Sequence, residues 1–132
     1  MAITLLSLLF ALLAGLLHVG IFVMESVLWR RPQIWQRFGI ENQKLADETA
    51  FLAFNQGFYN LFLALGALTG VLWVALGTPV SGWTLVGVSC TSMVAAALVL
   101  RSGGKRYTRA ALTQGTLPAL ALVCAGLLAL SR

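Results

Sequence analysis

The sequence predicts an all-α fold: an antiparallel four-helix bundle integral to a membrane, with a short interfacial helix between helices 1 and 2. Hydrophobic residues make up 59 % of the 132 residues and charged residues only 10 %, whereas a soluble domain averages about 25 % charged residues. Four apolar runs are long enough to cross a bilayer, and nearly all Lys and Arg residues lie in two of the segments between them. We therefore expect a single transmembrane domain over residues 1–132.

The four predicted spans cover about residues 3–29, 49–76, 83–100 and 108–130. Each exceeds or nearly reaches the roughly 20 residues that a helix needs to cross a hydrocarbon core about 30 Å thick. The first run resembles a signal peptide in position. Residues 1–7 carry no Lys or Arg, however, and the run continues beyond the usual stretch of about 7–15 apolar residues. We interpret it as a permanent span.

The basic residues predict the orientation of the spans. Segments 30–47 and 101–109 hold four Lys or Arg residues each, whereas segment 77–82 carries no charge. By the positive-inside rule, both basic segments are expected in the cytoplasm and both termini outside it. The net charge of +5 is therefore interpreted as a signal for orientation, and no nucleic-acid partner is expected.

The segments between the spans carry local signals of their own. Pro32 suits the first turn of a helix. Ile34, Trp35 and Phe38 fall on one face of that helix, which predicts a short helix on the inner leaflet within residues 32–47. An ordinary polar loop is the alternative. Pro, Ser and Gly predict the outer turn within residues 78–82.

Polar side chains inside the predicted spans indicate a site. A carboxylate at mid-helix costs roughly 2.5–3.5 kcal/mol on insertion scales, and such residues usually face a bundle interior. Seven polar side chains inside the predicted spans are therefore candidate site residues: His18, Glu25, Asn55, Gln56, Tyr59, Asn60 and Gln114. Counted at about 1.5 Å per residue, they fall at two levels, one in the cytoplasmic half and one near the midplane.

Helical rotation predicts that these groups converge. His18 and Glu25 are seven residues apart and therefore lie on one stripe. The four polar residues of the second span fit within an arc of about 140° at ~100° per residue. Pro118 withdraws the helical hydrogen bond from the carbonyl of Gln114. We expect a buried polar pocket in the cytoplasmic half of the bundle.

These residues also have structural interpretations. Asn and Gln can hold membrane helices together, at about 0.6 kcal/mol on average. Glu25 can reach the interface or pair with Arg30 or Arg31. Gly66 and Gly70 predict a close helix contact, either inside the bundle or between protomers.

Three stretches carry a resemblance: HVGIFVMESVLW at 18–29, FNQGFYNLFLA at 54–64, and Gln114 followed by Pro118. With them the chain resembles the DUF1304 family of small four-helix bacterial membrane proteins, and in plan, more distantly, DoxX-like proteins. The resemblance implies a multi-pass protein of the bacterial inner (plasma) membrane and no established activity. The family's motif positions map onto His18, Glu25, Trp29, Asn55, Gln56, Gly57, Tyr59, Asn60, Gln114 and Pro118.

Three kinds of function stay open. In the first, the pocket binds, and in an enzyme acts on, a small apolar or amphipathic ligand such as a quinone, isoprenoid or lipid. Glu25 would then be the acid or base, and His18 and Tyr59 would donate or relay protons. The expected ligand-binding residues are Asn55, Gln56, Asn60, Gln114 and Trp29.

In the second, a His and Glu proton relay serves a small transporter or channel, for which four short helices require a homo-oligomer. In the third, the polar cluster only fixes the register of an accessory subunit. A metal is not expected, because His18 is the sole histidine and lies about 10.5 Å along the helix axis from Glu25. The cofactor stays unknown, and membrane lipids are the expected partners.

Overall fold

The computed structural model describes residues 1–131, and no strand occurs within that range. The long helices are α1 and α4–α6, and two short helices separate α1 from α4. Their bounds are α1 (Ala2–Phe22), α2 (Pro32–Trp35), α3 (Gln43–Glu48), α4 (Ala50–Ala75), α5 (Pro79–Ser102) and α6 (Thr108–Leu130). The predicted all-α class is confirmed, including a short helix between the first two long ones.

Four helices in the described part of the chain are long and apolar enough to cross a membrane. They are Ala2–Val27, Ala50–Ala75, Pro79–Ser102 and Lys105–Leu130. Each contains 24 or 26 residues, and the mean hydropathy of their apolar windows lies between 1.6 and 2.4. By length and composition these helices are the four spans that the sequence predicts.

The turn between α4 and α5 is shorter than predicted. Gly77 adopts a φ of 87°, a left-handed conformation that only glycine adopts without strain. Pro79 then begins α5, because its fixed φ suits the first helical position. Ser81 and Gly82, which the sequence analysis placed in the turn, therefore lie inside α5. That expectation was wrong.

The chain separates into two compact units. The first consists of Met1–Leu17 together with the described chain from Leu63 to Ser131, and the second is His18–Phe62. The first unit contains α5, α6 and parts of α1 and α4. The second contains the rest of those two helices, with α2 and α3 between them.

Small side chains let four helices pack as a bundle in the first unit. Ala14 of α1, Ala67 of α4 and Met93 of α5 form a buried cluster, and Leu117 of α6 packs against it. A second buried cluster contains Ala11, Val86, Cys90 and Ala121. Alanine allows helix backbones to approach closely, which is the usual way that membrane helices pack.

Gly70 marks a close approach of α4 and α5. A Cβ atom at this position would lie 2.8 Å from the carbonyl oxygen of Gly82 and 2.8 Å from the backbone nitrogen of Val86. A Cβ atom at Gly66 would meet the hydroxyl of Ser89. The Gly66 and Gly70 pair therefore makes its close contact within the chain.

The second unit has a core rich in tryptophan. Trp29, Trp35, Ala46 and Ala53 are buried together, and the ring of Phe38 lies 5.4 Å from that of Trp29, between centroids. The indole nitrogen of Trp29 donates a hydrogen bond of 2.9 Å to the carbonyl oxygen of Ala46. This bond joins α3 to a residue two positions beyond the end of the first candidate span.

Two local features, a glycine with positive φ and a helix N-cap, turn the chain back towards Trp29. Gly39 ends the 3-10 turn Gln36–Phe38 with a φ of 77°. Asn42 caps α3, and its side chain accepts a hydrogen bond of 2.9 Å from the backbone N–H of Leu45. The short helix predicted from Pro32 is thus followed by a second one.

The close contact at Gly70 gives a stability prediction. Gly70→Ala should lower the free energy of unfolding by about 1–3 kcal/mol, because the added methyl group meets backbone atoms that cannot move aside. Gly87→Ala in α5 is the matched control, since nothing lies within 4 Å of its Cβ position. Thermal unfolding of both variants in detergent measures the difference. An equal effect of the two changes would contradict the packing described.

Candidate functional site

A π-helical turn ends the first candidate span. Val23–Val27 forms this turn, and the backbone N–H of Leu28 donates to the carbonyl oxygen of Val23 at 2.9 Å. The bond spans five residues instead of the four of an α-helix, and single turns of this kind occur frequently at functional sites. Glu25 and Ser26 project from this turn.

Glu25 is held by an amide. Its side chain is buried, with 8 % exposed, and so is that of Asn60 on α4, with 9 % exposed. The Nδ2 of Asn60 donates a hydrogen bond of 2.8 Å to Oε2 of Glu25 and a second of 3.2 Å to the carbonyl oxygen of Gln56. The sequence analysis left open an ion pair of Glu25 with Arg30 or Arg31. Within residues 1–131 Glu25 makes no ion pair, and an exposed pair joins Lys44 and Glu48 instead.

Gly57 allows the two helices to meet at this level. A Cβ atom at Gly57 would lie 3.1 Å from Cβ of Glu25 and would collide with the hydroxyl of Ser26. The hydroxyl of Ser26 donates a hydrogen bond of 2.8 Å to the carbonyl oxygen of Phe54. The π-turn is therefore attached to α4 on both sides of Gly57. This attachment fixes where the carboxyl group of Glu25 lies.

One cleft adjoins this carboxyl group and a second lies beside the first, and the residues that line both belong to the second unit. The smaller, which we call the Glu25 cleft, has a volume of about 270 Å³ and is lined by Glu25, Ser26, Val27, Trp29, Arg30, Ala50 and Phe54. The larger, which we call the Asp47 cleft, has a volume of about 390 Å³ and is lined by Trp29, Arg30, Gln43, Ala46, Asp47 and Ala50. Trp29, Arg30 and Ala50 line both clefts, so the clefts are neighbours. Their sizes are near the lower end of the range for small-molecule sites, about 300–1,000 Å³.

The clefts include polar residues that sequence reasoning missed. Arg30 and Asp47 were assigned to a loop, and Gln43 and Ser26 were not considered as site residues. The Nε2 of Gln43 donates a hydrogen bond of 2.8 Å to Oδ1 of Asp47. The N-cap signal at Asn42 could have located the start of α3. Nothing in the sequence pattern shows that α3 returns to Trp29.

The structure brings only some of the predicted site residues together. Glu25 and Trp29 line clefts, and Asn60 contacts Glu25. His18 is buried with 1 % exposed, and it does not line either cleft. Gln114 is half-buried and belongs to the first unit. Three side chains of α4 are exposed and do not contact Glu25: Asn55, Gln56 and Tyr59.

The rotation of α4 explains this separation. At about 100° per residue, Asn60 lies about 140° from Asn55 and 100° from Tyr59. The narrow contact with the π-turn covers Gly57 and Asn60, which are both buried. Only one edge of the polar arc therefore reaches Glu25. Among residues 1–131 no group of three or more His, Cys, Asp or Glu side chains is arranged to hold a metal ion.

The indole N–H of Trp29 gives a prediction for this region. Trp29→Phe should lower the free energy of unfolding by about 1–2 kcal/mol, because the buried carbonyl of Ala46 loses a donor. Trp73→Phe removes the same atoms from a side chain that is 41 % exposed and should change stability by much less. Thermal unfolding followed by circular dichroism makes the comparison. Equal stability of the two variants would contradict a structural role for this bond.

Comparison with known proteins identifies the family of the chain. A search of curated proteins and a search of solved structures each give no match. The family model described as "Protein of unknown function (DUF1304)" matches residues 12–126. The match covers the π-turn and α4, which carry the site, and the loop between them. The chain therefore belongs to the DUF1304 family.

Proposed function

We propose that this chain is a multi-pass protein of the bacterial inner membrane that binds a small apolar or amphipathic molecule, such as a quinone, isoprenoid or lipid. The polar end of the molecule lies in the Glu25 cleft. The basic segments 30–47 and 101–109 lie in the cytoplasm. The cleft then opens near the cytoplasmic end of the first span.

The carboxyl group of Glu25 is the observation that carries this proposal. It is buried and lines a cleft. Its hydrogen-bond donor is the neutral amide of Asn60 rather than a cationic side chain. A carboxylate has capacity for about four hydrogen bonds, and Asn60 donates one to Oε2. The group is thereby positioned to accept a hydrogen bond from a ligand hydroxyl, amide or ammonium.

The walls of the cleft suit an amphipathic molecule. Val27 and Phe54 line it together with Glu25 and Ser26, and both apolar side chains are also exposed, at 62 % and 47 %. Phe51, one helical turn before Phe54, is 77 % exposed. An apolar surface thus continues from the cleft onto α4. A ligand can place its polar end at Glu25 and its apolar part along this surface.

The roles of the other predicted residues follow from their positions. Asn60 orients the carboxyl group of Glu25, and Trp29 forms a wall of the cleft. Of the three residues considered for acid–base chemistry, Glu25 lines the cleft and His18 and Tyr59 do not. A binding role for Glu25 is the simpler proposal.

Co-purification of a ligand tests the proposal. Wild-type protein extracted in mild detergent should carry a small amphipathic molecule that native mass spectrometry detects. Glu25→Gln should lower its retention about tenfold, since a charge-assisted hydrogen bond contributes roughly 1.5–3 kcal/mol. The amide of glutamine can still accept the hydrogen bond from Asn60, so the fold should persist. Glu41→Gln in the exposed loop is the control and should retain the ligand like the wild type.

Three outcomes would contradict the proposal. Equal retention by Glu25→Gln and wild type would exclude Glu25 from binding. Proton flux in proteoliposomes that disappears in Glu25→Gln, with no ligand detected, would favour the proton-linked transporter. If Glu25→Gln only loosens the fold, Glu25 serves the helix register of an accessory subunit.

A further inference from the structure

The Asp47 cleft carries charges of both signs. Arg30 and Asp47 both line it, and within residues 1–131 neither takes part in an ion pair. Gln43 donates to Oδ1 of Asp47 and leaves Oδ2 able to accept another donor. The cleft therefore presents a guanidinium group and a carboxylate to any molecule that enters it.

Arg30 links the two clefts. Its side chain lines both of them, as do Trp29 and Ala50. A guanidinium group binds a phosphate through two parallel hydrogen bonds, which is the geometry that arginine favours over lysine. An anionic group at Arg30 would thus lie between the carboxylates of Glu25 and Asp47. Arg30 is the one basic side chain lining the two clefts, and the carboxyl groups of Glu25 and Asp47 line them as well. These two acceptors suit a ligand that carries a cationic donor.

The position of the Asp47 cleft matches the depth of lipid head groups. The first candidate span ends at Val27 and the second begins at Ala50. Arg30 follows the first by three residues, and Asp47 precedes the second by three residues. Because three residues span at most about 11 Å even when extended, both charges lie within that distance of a span end. Exposed Phe51 beside them provides an apolar surface towards the hydrocarbon.

We propose that the Asp47 cleft binds a zwitterionic lipid head group that combines a phosphate with a primary ammonium, as in phosphatidylethanolamine. The phosphate binds Arg30, and the ammonium donates hydrogen bonds to Asp47. The ammonium has three N–H donors and also donates to Glu25, since Arg30 lines both clefts and the esterified glycerol has no donor. Val27 and Phe54 contact the acyl chains. This inference rests on the proposed function and names the ligand class of the same site.

Lipid competition in native mass spectrometry tests the head-group assignment. The full chain in detergent is given equal concentrations of phosphatidylethanolamine and phosphatidylglycerol, which share the phosphate but differ in the ammonium. The wild type should bind phosphatidylethanolamine about tenfold more tightly, because only this lipid places a positive charge against the Asp47 carboxylate, whereas phosphatidylglycerol offers neutral hydroxyls. Asp47→Asn should abolish this preference and retain phosphate binding. Arg30→Gln should weaken the binding of both lipids by about tenfold.

The chain supplies matched controls next to each residue. Arg31 and Glu48 are exposed neighbours of Arg30 and Asp47, and neither lines the Asp47 cleft. Arg31→Gln and Glu48→Gln remove the same charges and should leave the preference unchanged. Equal effects of Arg30→Gln and Arg31→Gln would show general attraction to basic segments and would overturn the proposal.

Two different results distinguish a wrong head-group assignment from a wrong proposed function. Ligand retention that depends on Glu25, without a preference for phosphatidylethanolamine, would overturn only the head-group assignment. An absence of any bound molecule would overturn both.

A last arm separates a lipid from a soluble compound with the same head group. Glycerophosphoethanolamine should not displace the bound lipid when it is added at the concentration at which the lipid saturates the protein, because it lacks the acyl chains. Displacement at equal concentration would overturn the assignment to a lipid.

Discussion

The hydrogen bond from Asn60 to Glu25 holds a buried carboxyl group where the end of the first candidate span meets α4. Gly57 makes this meeting possible, because a side chain there would collide with Ser26. The bond from Ser26 to the carbonyl of Phe54 attaches the π-turn a second time. The Glu25 cleft lies beside these contacts, so its shape depends on them. A change that separates the π-turn from α4 would remove the candidate site.

This bond is weak as a source of stability. Side-chain hydrogen bonds between membrane helices contribute about 0.6 kcal/mol on average, whereas an acid at the centre of a span costs roughly 2.5–3.5 kcal/mol. Glu25 avoids most of that cost because it lies in the last turn of its span, next to Arg30. A leucine at position 25 would still suit an apolar bundle better. Glu25 also lines a cleft, and this access to a ligand is the physical reason for assigning it to binding.

The four long helices and two residues of the site, Glu25 and Asn60, could be predicted from the sequence, because hydropathy and isolated polar side chains are visible there. Hydropathy determines the four long helices. Glu25 and Asn60 are polar in apolar surroundings, so both were singled out. Periodicity gives a wide polar arc on α4, but it does not say which edge of that arc meets α1. The small surface of Gly57 decides this, and its neighbours Asn55 and Tyr59 are left exposed.

The clefts could not be predicted, because they depend on how a loop folds. Gly39 and the cap at Asn42 return α3 to the indole N–H of Trp29. That return brings Arg30 and Asp47, which are seventeen positions apart in the sequence, to one cleft. The sequence alone gives no reason to distinguish Arg30 and Asp47 from other charged residues beside a membrane span. Only the three-dimensional path of residues 30–47 gives them a shared surface.

The most direct measurement is an experimental structure of the protein extracted from native membranes without delipidation. We expect non-protein density in the Glu25 cleft, with a polar atom within hydrogen-bond distance of the Glu25 carboxyl group and apolar density along Phe54. A closed cleft, with the carboxyl group of Glu25 paired to Arg30 and no foreign density beside it, would show that Glu25 does not bind a ligand.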